Sequence, residues 1–70
     1  MYEMLSTREL TVLQSMLFEG AGDLHKLADL KRDDAGYAAP CRSAYREIAH
    51  LFIEAGTELI GRLDAQLDAA

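Results

Sequence analysis

The sequence predicts an all-α fold: a two-helix antiparallel hairpin that dimerises into a four-helix bundle. Three observations lead there. Apolar residues recur at spacings of three and four along two stretches, with one break in the period between them. A capping box opens the first stretch and the only proline opens the second. The second stretch is apolar over roughly 200° of its circumference, more than one neighbouring helix covers. Neither stretch alternates as a strand does, and no internal repeat is visible.

Ser6-Thr7-Arg8-Glu9 fits the capping box: the Ser6 hydroxyl accepts from the backbone N–H of Glu9 while the Glu9 carboxylate accepts from the N–H of Ser6. Leu5 and Leu10 stand at the positions of a hydrophobic staple. A first helix is therefore expected over about residues 6–30, with Leu10, Leu13, Leu17, Ala21, Leu24 and Ala28 on one stripe, Met16 and Leu27 widening it, and Val12 and Leu30 at its flanks. Gly20 and Gly22 each weaken a helix interior by about 1 kcal/mol relative to alanine. They fit either a turn that splits the helix or a continuous helix with room for a close neighbour. The stripe keeps its phase across them, which favours the continuous helix.

Residues 31–39 break the period, contain Gly36 and end at Pro40, so they read as the connector. The second helix is expected over about residues 40–67, with Ser43, Glu47, His50, Glu54, Thr57, Glu58 and Gly61 on its polar side. Folding at residue 36 sets side by side residues whose numbers sum to about 72 in an antiparallel pair. That places Leu13 near Leu59, Leu17 near Ala55 and Gly56, Gly20 near Phe52, and Leu27 near Tyr45. Leu13, Leu17, Leu24, Ile48, Phe52 and Leu59 are the expected core or dimer contacts. Because a lone hairpin leaves part of each apolar arc wet, a homodimer is expected; the competing account reserves the open side for a different protein.

A chain of 70 residues makes one small domain. It is half apolar with 27% charged residues, which excludes the strongly charged, apolar-poor class that stays disordered. Apolar runs such as Leu51-Phe52-Ile53 fall far below the roughly 20 residues of a spanning helix, so no membrane association is expected. The acidic start Met1-Tyr2-Glu3-Met4 does not look like a secretory signal, and the single Cys41 cannot form an internal disulfide. Both features point to the cytoplasm.

The net charge of -5 and a pI near 4.7 make nucleic acid an unlikely partner. The charge is uneven. Residues 1–23 carry one basic and four acidic groups, residues 24–46 five and three, and residues 47–70 one and five. A hairpin would thus have a basic turn end and an acidic open end, a pattern that suits antiparallel self-association or an acidic partner surface.

No catalytic, cofactor or metal role is expected for any residue. Glu47-x-x-His50, with Glu54 a turn later, has the spacing of a carboxylate-bridged metal half-site but lies on the polar side, and His25 with Asp29 reads as an exposed helical contact. Cys41 beside Arg42 at a helix start favours a thiolate, yet it sits at the edge of the apolar arc and reads as a small half-buried hydrophobe. Gly20-Ala21-Gly22 lacks the Lys and Ser/Thr of a phosphate loop.

Arg42 and Arg46 stand at the start of the second helix, and Asp64 and Asp68 at its end, each against the macrodipole. Ion pairs with Asp33 and Asp34 or with a partner subunit would explain them, as would contact with a target. Tyr37 is an aromatic in a small, polar connector and is either a binding anchor or a cover for the bundle end. The expected partner-binding residues are therefore Tyr37, Arg42 and Arg46.

Arg42-Ser43-Ala44-Tyr45-Arg46-Glu47, followed by Glu54-Ala55-Gly56 and Leu59-Ile60, resembles small phage-encoded anti-activators that inhibit bacterial quorum-sensing regulators. The specific likeness covers about 20 residues, a Tyr-Arg-acidic start on an amphipathic helix. It implies a dimeric helical hairpin that binds and blocks a host protein, such as a transcription regulator or a pilus motor protein. The alternative is a small nucleic-acid-associated regulator or antitoxin-like module that uses Lys31, Arg32, Arg42 and Arg46 at the turn end as phosphate contacts.

Overall fold

The computed structural model describes residues 2–69. It is a helical hairpin, a rod of 54 × 17 × 15 Å, and no strand occurs among the described residues. A short 3-10 turn, Tyr2–Met4, precedes helix α1, Thr7–Leu30; helix α2, Ala35–Ala69, returns antiparallel. At 1.5 Å per residue, α2 alone is about 52 Å long and sets the length of the rod.

The capping box forms. Ser6 is extended, its hydroxyl accepts from Glu9 N at 3.0 Å, and Ser6 N donates to Glu9 Oε1 at 2.9 Å. The backbone N–H of Ser6, and then its side chain, hold the Glu9 carboxyl below the usual glutamate range. Beyond the cap α1 runs unbroken through Gly20 and Gly22. A side chain added at Gly20 would meet Ile48 Cδ1 at 3.7 Å, so this glycine does sit under a close neighbour, whereas Gly22 faces open space.

The second helix departs from the sequence reading at its start. It begins at Ala35 and takes Pro40 into its interior, so only residues 31–34 remain as connector. From sequence alone, proline fits the first turn of a helix. Ala35, Ala38 and Ala39 are strong helix formers, however, and the carbonyl of Asp34 already accepts from the N–H groups of Tyr37 and Ala38 at 3.0 Å each. Having no N–H, Pro40 leaves the Gly36 carbonyl without its helical donor, a loss confined to the first turns of a long helix.

This earlier start moves the register. The Phe18 and Phe52 rings lie 6.1 Å apart, His25 and Tyr45 6.4 Å apart, and Gln14 lies against Gly56. The numbers of each pair add to 70 rather than 72. At Gly20 the near neighbour is Ile48 rather than Phe52, at Gly56 it is Gln14 rather than Leu17, and Tyr45 packs on His25.

The core is thinner than expected. Leu10 and Ala55 are fully buried and Ala38 and Cys41 nearly so, while Leu13, Leu17, Leu24, Ile48, Phe52 and Leu59 are only half-buried. Two helices in contact cover a large side chain from two sides and leave its flanks open; only small residues disappear between them. Leu10 is the exception, toward the open end of the hairpin, where the amino-terminal turn lies against α2.

Candidate protein-interaction surface

The described helices are not long and apolar enough to cross a membrane, yet much apolar surface is exposed. The chain presents 5523 Å², against about 4,300 Å² for a compact monomer of its mass. An elongated rod exceeds a compact body in surface, and on this one exposed apolar side chains line both flanks.

On one flank, two grooves join. The first, about 340 Å³, is lined by Leu24, His25, Ala28 and Cys41 together with Arg42, Tyr45, Arg46 and Ala49. The second, about 480 Å³, shares His25, Tyr45 and Ala49 and continues over Phe18, Gly22, Phe52 and Ile53. Further toward the open end the same side of α2 exposes Ile60, Leu63 and Leu67. The opposite flank holds a hollow of about 450 Å³ between Leu5, Val12, Leu13 and Met16, and a neighbouring one under Tyr2, Leu17 and Leu51.

The three expected partner-binding residues separate into two places. Arg42 and Arg46 come together as exposed walls of the first groove. Tyr37 lies outside that groove, 43% exposed, with the Lys31 ammonium 5.8 Å from its ring centre. Asp33 and Asp34 do not pair with either arginine: among the described residues the ion pairs are Arg32 with Asp29 at 3.9 Å and Arg62 with Glu58 at 3.0 Å. The first is exposed on both sides and contributes little. Asp29 thus turns to Arg32 while His25 packs on Tyr45, and Glu47, His50 and Glu54 are exposed. No three His, Cys, Asp or Glu side chains gather in metal-binding geometry among the described residues. Cys41, read as half-buried, is buried beneath the groove.

Arg62 is the organising residue that the sequence reading passed over. Its half-buried guanidinium donates to the carbonyls of Leu5, Tyr2 at 3.3 Å and Glu3 at 3.4 Å, to Thr7 Oγ1 at 3.2 Å, and through Nε to Glu58 at 3.0 Å. It ties the amino-terminal turn to α2. That it is the lone basic residue beyond Arg46 was visible; that its acceptors lie some sixty positions earlier was not. Arg62→Lys keeps the charge but loses the planar fork, and a loss of about 1 to 2 kcal/mol is expected for these partly exposed bonds. Thermal melting checks it, and faster amide exchange at Leu5 should accompany it; unchanged exchange there would contradict the role.

Compared with family models, curated proteins and solved structures, the chain shows no significant match to any of them.

Proposed function

We propose that the chain is a small non-enzymatic inhibitor that acts in the cytoplasm by binding and blocking a host regulatory protein, after the manner of the phage anti-activators it resembles. It works as a homodimer whose two hairpins form a four-helix bundle. The observation that supports this is the set of large apolar side chains left in water along the flanks, Val12, Met16, Phe18, Ile53, Ile60 and Leu63 among them, a surface of the kind that marks an interaction face.

Tyr37 is the anchor for the target. It stands at the basic turn end, exposed and outside the groove that holds Arg42 and Arg46. Those two arginines face two claims, the target or a second copy of the chain.

Capture of a host protein by the tagged chain tests the reading. Tyr37→Ala should keep helical content and mass and reduce capture about tenfold or more, the effect of losing a hot-spot aromatic. Equal capture by the variant would contradict the anchor. Capture of nucleic acid that falls steeply with salt would instead assign Lys31, Arg32, Arg42 and Arg46 to phosphates.

A further inference from the structure

Along α2 the positions Ala49, Ile53, Gly56, Ile60, Leu63 and Leu67 follow one another at intervals of four and three in strict alternation, the spacing of a coiled-coil seam. This line is separate from the one that α2 turns toward α1, through Ile48, Phe52, Ala55 and Leu59. Ile53, Ile60, Leu63 and Leu67 are 63, 62, 55 and 65% exposed. Arg42 and Arg46 extend the line toward the turn, seven residues before Ala49 and Ile53, and Asp64 and Asp68 border it at the other end. All four charges are exposed and have no ion pair among the described residues; with α2 starting at Ala35, Arg42 and Arg46 lie beyond its first turn, so the expected opposition to the helix dipole does not apply to them.

We infer that a second copy of the chain occupies this seam, with α2 lying antiparallel against α2 of the partner subunit and the twofold axis passing near residues 54 and 55. The inference rests on the homodimer reading and names its interface. In this register Ile60 faces Ala49 of the partner subunit, while Leu63 and Leu67 lie along the aliphatic stems of Arg46 of the partner subunit and Arg42 of the partner subunit. The same register brings Arg46 beside Asp64 of the partner subunit and Arg42 beside Asp68 of the partner subunit. The charges therefore select one alignment. A slip of one heptad in either direction parts both ion pairs. A parallel arrangement stacks the basic turn ends on each other.

A charge-swap cycle on the full chain tests the register, with dimer dissociation followed by sedimentation over a range of concentrations and helical content by circular dichroism. Arg46→Asp and Asp64→Arg should each raise the dissociation constant about tenfold at low salt, since twofold symmetry turns two attractive contacts into two repulsive ones. The double variant should return to within about threefold of the parent, and the differences should shrink near 1 M salt, where charges are screened beyond about 3 Å. If the parent is dimeric and the single variants dissociate as it does, or the double variant is no tighter than the singles, the seam is not the interface although the dimer stands. A monomeric parent overturns the dimer and the register together.

Discussion

Leu10→Ala is expected to destabilise the protein by about 2 to 5 kcal/mol, the range for emptying a fully enclosed leucine site. Leu10 is the one large side chain with no exposure among the described residues. A chain of this length has roughly 4 to 10 kcal/mol in total at typical stabilities per residue. The variant should therefore melt far below the parent. Val12→Ala, two positions on and 54% exposed, is the control and should shift stability by less than about 0.5 kcal/mol if that flank is solvated. Equal melting of the two variants would mean that the amino-terminal turn does not close over Leu10.

The second large effect concerns assembly. Ile60→Glu combined with Leu63→Glu places two carboxylates per chain on the α2 seam, at positions 62 and 55% exposed in the isolated hairpin. Helical content should be kept, because neither side chain is enclosed within the chain. Dimerisation should be lost, with a dissociation constant raised by about a thousandfold or more, since each subunit would bury charges without partners. Thr57→Glu on the polar side of α2 should leave the mass unchanged. Loss of helix in the double variant would show that these residues hold the hairpin itself; an intact dimer would move the interface to the Val12 and Met16 flank.

What the sequence revealed was local. Ser6 and Glu9 announce the cap because both partners lie within one turn, and the stripe from Leu10 to Ala28 keeps its phase through Gly20 and Gly22 because periodicity survives a glycine. Pro40 misled for the complementary reason: a rule about single residues placed the helix start there, whereas the alanines and the Asp34 carbonyl carry the helix back to Ala35. That shift of the start moved the whole register and exchanged the neighbours of Gly20 and Gly56. Arg62 was opaque because its acceptors lie at the other end of the chain. The wide apolar arc of α2 was legible, but only the hairpin separates the line through Ile48 and Ala55, which is turned toward α1, from the exposed line through Ile53 and Ile60. Of the candidate site, the exposure of Tyr37, Arg42 and Arg46 was legible, and their division between two places was not.

The central claim is that the hairpin is half of an assembly. Sedimentation equilibrium of the unmodified chain at about 50 μM, well above a micromolar dissociation constant, measures it directly. A mass of twice the 7.7 kDa chain is the expected result, and a mass of 7.7 kDa would contradict it.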